Sequence, residues 1–274
     1  MRHPLPPPSR SSRAKMRLAV CALVLVMLWY SVRRAGPSSL ASFGTSPVDA
    51  DATVAIVPSP IPPTRPLSPP RIALVGDSLT EGYTCDEFGS GRTRKGPTGT
   101  FLPYGSFIRT RHPDWTVNIF GHSGETTRQI LDRLPSLVEM EPGYDAVVLL
   151  GGTNDLGERN PGACLNNLRK GAVTISSSGA VPIVLSVPPV FNGDSFQEPT
   201  WVTGNRGLVN EGLASIDGAL YVDLERTILA HRKPKELYCP DGVHFTPELS
   251  QLLAMTVEDA IVVALNLGDD DDNL

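Results

Sequence analysis

The chain has 274 residues, a formal net charge of −5 at pH 7 and a sequence pI near 5.6. An acidic chain without zinc-finger spacing has no global attraction for phosphate backbones, which argues against nucleic acid as a partner. The first 70 residues have the wrong composition for a core, leaving about 200 residues for one domain.

Residues 1–17 form a basic tail, with Arg2, Arg10, Arg13, Lys15 and Arg17 ahead of an apolar stretch from Leu18 to Val32 that only Ser31 interrupts; Arg33 and Arg34 follow it. As a helix the stretch spans about 22 Å, short of a hydrocarbon core of about 30 Å, so it suits a thin early-secretory bilayer with Trp29 and Tyr30 at the interface. Two readings stand. In one, 18–32 is a signal anchor, the tail is cytosolic and the rest of the chain is luminal or extracellular. In the other, 18–32 belongs to a cleaved signal peptide, with Ser39-Leu40-Ala41 supplying small residues for cleavage, and the product is secreted. Both place the protein in the secretory pathway.

From 33 to 70 the chain is rich in Pro, Ser, Thr and Ala, with Pro58, Pro60, Pro62, Pro63, Pro66, Pro69 and Pro70 among them. Such a segment cannot bury a core and reads as an extended stem. At the other end, residues 269–274 form an acidic, solvated tail.

Between 71 and 268 short β-branched runs alternate with longer helical patterns, which predicts an α/β domain with a parallel sheet flanked by helices. Strands are expected at 71–75, 116–120, 146–150, 182–187 and 220–223. Helices are expected at 104–111, 126–140, 162–178, 205–216 and 247–267, the last opening on Pro247, where a missing N–H costs nothing. In such sheets the loops at the carboxyl ends of the strands gather into one crevice.

Four segments fall in those loops or just before the closing helix: Gly76-Asp77-Ser78-Leu79-Thr80-Glu81-Gly82-Tyr83, Ser123-Gly124-Glu125-Thr126-Thr127, Gly151-Gly152-Thr153-Asn154-Asp155 and Asp241-Gly242-Val243-His244. A serine hydroxyl is a weak nucleophile at neutral pH and needs an adjacent base, itself oriented by a third group. Ser78, His244 and Asp241 can supply the three roles. Each segment alone has an ordinary reading: Gly-Asp-Ser as a helix cap, Gly124 as a loop glycine chosen for its backbone angles, Asn154 as a turn residue, Asp-Gly-Val-His as a turn.

Taken in order, the four segments resemble those of the GDSL or SGNH hydrolases over roughly residues 71–268. The resemblance implies a three-layer, flavodoxin-like α/β fold with a parallel five-stranded sheet flanked by helices, the SGNH hydrolase fold. It further implies catalysis by Ser78, Asp241 and His244, and an oxyanion hole made of the Ser78 and Gly124 N–H groups and the Asn154 side-chain amide. No metal or organic cofactor is implied, and the substrate is a small-molecule, lipid or glycan ester. Glycan O-acetyl groups, lysophospholipids and small carboxylic esters all fit, and the residues that bind the substrate are not legible. An O-acyltransferase and a catalytically inactive glycan-binding module are rival readings of the same scaffold. If 18–32 is retained, the membrane is a further partner.

Asp77 and Asp155 read as loop-organising acids outside the catalytic set, and His122 as a loop histidine. Gly91 to Gly96 resembles the opening of a phosphate loop, but Pro97 stands where a lysine is required. Arg92, Arg94 and Lys95 offer a basic rim for anionic acyl substrates, or simply a solvated loop. Cys85 follows one motif and Cys239 precedes another, so a Cys85–Cys239 bridge and three free thiols, Cys164 included, are both open.

Overall fold

The computed structural model describes residues 56–57, 68–84, 101–158, 160–191 and 200–267, all within the unit Asp51–Leu274. The basic tail, the apolar stretch 18–32, most of the stem, the 85–100 loop with Arg92, Arg94 and Lys95, and the acidic tail lie outside the described residues. Among the described residues no helix is long and apolar enough to cross a membrane.

Five parallel strands, β2 (Arg71–Gly76), β3 (Thr116–Gly121), β4 (Ala146–Leu150), β5 (Val181–Leu185) and β6 (Leu220–Val222), form the sheet, and β1 (Ile56–Val57) adds an antiparallel edge on β6. The order is β1-β6-β5-β4-β2-β3. The helices are α1 (Ser78–Glu81), α2 (Tyr104–Arg111), α3 (Thr127–Val138), α4 (Pro161–Ser177), α5 (Thr200–Leu213), α6 (Leu224–Ala230) and α7 (Pro247–Ala264).

Strands covered by helices on both faces have no solvated side, so they read as continuous apolar runs. The Ala146–Leu150 strand is buried at every position. Successive side chains still divide between two layers. Ile72, Leu74, Val148, Leu150, Ile183 and Leu185 pack with Ile108 of α2 and with Leu249, Leu253, Val257 and Ile261 of α7. Ala73, Val75, Val147, Leu149 and Val184 pack with Ile130 and Leu134 of α3, Leu168 and Ile175 of α4, and Val209 and Leu213 of α5. Burying each such Leu or Ile stabilises by about 1.5 to 3 kcal/mol, and a one-residue slip would exchange the layers, so burial fixes the register.

The helix starts follow from local chemistry. Asn160 accepts from the Ala163 N–H at 3.0 Å ahead of Pro161, and Thr246 accepts from the Leu249 N–H at 3.3 Å ahead of Pro247. Both pair a capping side chain with proline at the position that needs no donor.

Five elements differ from the sequence expectations. Helix α5 begins at Thr200 rather than 205, because Gly204 and Gly207 lower the helical signal over its first part. Strand β5 ends at Leu185, shortly before Pro188 and Pro189, which cannot donate to a ladder. The short α1 and α6 and the two-residue β1, which lies inside the expected stem, were too brief to show a period.

The register places the functional loops. Gly76 pairs with Gly121 on one side and Leu150 on the other, so β2, β3 and β4 end level. From β2 the chain moves to the β3 edge, whereas from β4 it moves away through β5 to β6. The connections leaving β2 and β4 therefore diverge, opening a crevice at their carboxyl ends.

Candidate active site

Ser78 is placed by a tight strand-to-helix turn. A Cβ at Gly76 would stand 2.2 Å from the Leu150 carbonyl oxygen and 2.3 Å from Thr80 Oγ1, so only glycine lets β2 approach its neighbours there. Asp77 is fully buried, and its Oδ1 caps α1 by accepting from the Leu79 N–H at 2.9 Å. Burial pushes its carboxyl up to about 7, against the opposing pull of that N–H and of His244. Ser78 then becomes the first residue of α1.

His244 and Asp241 share one closed loop. The Cys239 N–H donates to the His244 carbonyl at 2.8 Å, and the Gly242 N–H donates to the Cys239 carbonyl at 2.8 Å. Asp241 Oδ1 accepts from the Val243 and His244 N–H groups, each at 2.9 Å, and its Oδ2 lies 2.8 Å from His244 Nδ1. Burial works to raise the Asp241 carboxyl, but these donors outweigh it and hold the group down to about 2. A carboxylate can only accept, so Nδ1 carries the ring proton and Nε2 is left as an acceptor. Nε2 lies 3.0 Å from Ser78 Oγ. The three side chains thus form one hydrogen-bonded chain across 166 residues of sequence.

The loop is braced from several directions. The Phe191 N–H donates to the Gly242 carbonyl at 2.7 Å, and Thr84 Oγ1 donates to the Phe245 carbonyl at 2.7 Å. The Tyr83 ring lies 4.5 Å from the imidazole and 5.4 Å from Phe101, centre to centre. Cys239, at the base of the loop, is disulfide-bonded, which sets aside three free thiols; Cys164 is free and buried, and Cys85 lies outside the described residues.

Two backbone donors lie just beyond the carboxyl ends of β2 and β3. Among the described residues neither the Ser78 nor the Gly124 N–H has a hydrogen-bond partner. Gly124 has φ +83°, and a Cβ there would meet nothing within 4 Å. Glycine at 124 is thus required by its backbone angle rather than by crowding. Asn154 lies on the short 3-10 turn Thr153–Glu158; its Nδ2 donates to the Glu125 carbonyl at 2.8 Å and makes a long 3.4 Å approach to Asp77 Oδ2. One of its two N–H bonds is thereby anchored while the other is held only weakly.

Asp155 organises the adjoining turn, accepting from the Thr127 N–H at 2.8 Å and from Thr127 Oγ1 at 2.5 Å, and burial raises its carboxyl. His122 Nδ1 lies 3.1 Å from Glu125 Oε1, on the exposed loop after β3.

Three further residues, Arg133, Glu125 and Glu81, were given no role from the sequence. Arg133 of α3 donates through Nη2 to the Gly76 and Phe120 carbonyls at 3.0 and 2.9 Å, and through Nε to Glu125 Oε2 at 2.8 Å. Glu81 binds Ser123 on the loop after β3. Charged residues at such positions carry no periodic signal that separates them from a solvated face.

Fold and crevice together define a three-layer α/β protein with a serine, histidine and aspartate chain at the carboxyl edge of a parallel sheet. The profile of the GDSL-like lipase/acylhydrolase family matches residues 74–252. No curated protein sequence is a significant match. Among solved structures, a lipase/acylhydrolase from Enterococcus faecalis is similar at 24% identity with a TM-score of 0.56, over 70% of this chain and 95% of that one. An acetylxylan esterase from Geobacillus stearothermophilus matches at 19% and 0.51, over 71% and 94%. An esterase from a Pseudoalteromonas species, inhibited by monoethylphosphonate, matches at 18% and 0.51, over 72% and 98%.

The chain belongs to the GDSL-like lipase/acylhydrolase family and is a hydrolase of ester bonds.

Proposed function

We propose that the chain is a serine esterase that works through an acyl-enzyme on Ser78. Ser78 Oγ attacks the ester carbonyl as His244 Nε2 takes its proton, and Asp241 stabilises the imidazolium that results. The Ser78 and Gly124 N–H groups and the Asn154 amide receive the negative charge that develops on the carbonyl oxygen. The bond to the alcohol then breaks, and His244 returns the proton to that leaving oxygen. Water repeats the cycle at the acyl carbon, releasing the acid and restoring the Ser78 hydroxyl.

The Asp241–His244–Ser78 chain, at 2.8 and 3.0 Å, is the observation that carries this reading. The Ser78 and Gly124 N–H groups, without a partner among the described residues, support the oxyanion hole. An acyl ester on a glycan, a lysophospholipid or a small alcohol is the substrate class, and the likeness to an acetylxylan esterase favours a short acyl group on a sugar. The hydrolase domain spans 71–268, and β1 (Ile56–Val57), from the segment ahead of it, adds an edge strand to its sheet. Residues 18–32 take it into the secretory pathway, as a retained anchor that also binds the membrane or as a cleaved peptide, with nucleic acid playing no part.

The test is labelling by a fluorophosphonate, together with turnover of p-nitrophenyl esters of increasing chain length, acetylated sugars and lysophospholipids. Labelling that requires both Ser78 and His244, with turnover of at least one ester class, is the expected result. Labelling or turnover that survives Ser78→Ala would overturn the proposal.

A further inference from the structure

Glu81 lies at the end of α1, the helix that begins with Ser78. Its Oε2 accepts from the Ser123 N–H at 2.8 Å and also from the Ser123 hydroxyl. Ser123 immediately precedes Gly124, so these bonds join the nucleophile's helix to the peptide carrying a second oxyanion donor. Helix and loop also touch closely, since a Cβ at Gly121 would stand 2.0 Å from the Glu81 nitrogen.

Gly124 cannot orient itself. It is exposed, has no side chain, sits at φ +83°, and its N–H has no partner among the described residues. The direction of that N–H is set by the residues on either side. Glu125, on one side, is held by Arg133 through its carboxylate and by Asn154 through its carbonyl. Ser123, on the other, is held by Glu81.

We propose that Glu81 is a positioning residue that keeps the Gly124 N–H in register with the Ser78 N–H, so that both converge on the substrate's carbonyl oxygen. The inference rests on the esterase reading above. A carboxylate near a developing oxyanion is electrostatically unfavourable, so its advantage lies in geometry: one oxygen fixes two donors of the same residue. Through Glu81 and the Glu125 carbonyl, the three oxyanion donors are connected to one another rather than placed separately.

The test uses the full chain, steady-state hydrolysis of p-nitrophenyl acetate, and thermal unfolding of every variant. Losing an oxyanion donor outright lowers kcat by about 10²- to 10³-fold, so misdirecting one in Glu81→Ala is expected to lower kcat by about 10- to 100-fold, with KM within about 3-fold. Glu81→Gln keeps an oxygen able to accept both bonds, and kcat should return to within about 5-fold of the parent. Ser123→Ala removes only the hydroxyl bond and should lower kcat by about 3- to 10-fold; it provides the measurement if Glu81→Ala does not fold. An unchanged kcat in Glu81→Ala, or in Ser123→Ala where that variant stands in, would overturn the role. So would a Glu81→Gln variant as impaired as Glu81→Ala, or a loss confined to KM. Ser78→Ala run alongside separates the two levels: residual turnover there sinks the esterase reading itself, whereas its complete loss leaves Glu81 to be judged alone.

Discussion

Replacing Gly242 by alanine tests whether the histidine loop is held by backbone contact. The residue has φ +70°, which costs an L-amino acid roughly 1 to 2 kcal/mol. More decisively, the new Cβ would fall 1.5 Å from the Phe191 carbonyl oxygen and 2.6 Å from its carbon, both backbone atoms that no rotamer change can remove. Relieving the clash needs a relative shift of more than about 1 Å and disturbs the 2.7 Å bond from the Phe191 N–H to the Gly242 carbonyl. Asp241 adjoins Gly242 and His244 follows two residues later, so the shift passes to the 3.0 Å contact between Nε2 and Ser78 Oγ. Misplacing a catalytic group by about 1 Å costs about 10²-fold in rate. The expected outcome is a fall in kcat of that size with little change in KM, slower fluorophosphonate labelling, and a loss of about 1 to 3 kcal/mol in urea unfolding. Measurement of kcat per folded molecule decides the matter. A value within about 3-fold of the parent would show that the loop reaches Ser78 without this contact.

The remaining expectations probe single groups. Asn154→Ala should lower kcat by about 10²- to 10³-fold with a modest change in KM, and an unaltered kcat would remove it from the oxyanion hole. Asp77 has its folded carboxyl raised from 3.8 to about 7, so the stability it lends is fully present below about pH 4 and is lost as pH rises through 7. Asp77→Asn keeps the cap but not the titration; urea unfolding should show the parent losing about 2 to 4 kcal/mol relative to the variant between pH 4 and 8, and a gap that stays constant contradicts the assignment. Asp241 is shifted the other way, from 3.8 to about 2, so its contribution is present above about pH 4 and lost as pH falls through 2. Its side chain is 41% exposed, which cuts the effect to about 1 kcal/mol, measurable as acid destabilisation of the parent relative to Asp241→Asn. The same variant should lose at least about 10³-fold in kcat, because a neutral amide no longer stabilises the imidazolium; retained activity would remove Asp241 from the relay.

The layers were legible because burial leaves a direct trace in sequence. The run at Ala146 to Leu150 cannot face water on either side, and Pro247 after Thr246 marks a helix start by chemistry confined to adjacent residues. The motif loops were legible for a related reason: Gly76, Gly124 and Gly242 occupy positions where a side chain is excluded by contact or by backbone angle. The start of α5 was hidden by Gly204 and Gly207, whose weak propensity is overridden by the packing of Val209 and Leu213 against the sheet.

By itself the sequence determined the alternation of strands and helices, the loops that gather at one edge of the sheet, and the identities of Ser78, His244 and Asp241 as chemically able partners. Only the tertiary structure decided that Ser78 Oγ and His244 Nε2 stand 3.0 Å apart, and that Arg133, Glu125 and Glu81 join the loops around them. Apolar burial repeats with the period of the element and so is written locally, whereas a hydrogen bond between distant loops depends on directions that exist only after the sheet has brought those loops together.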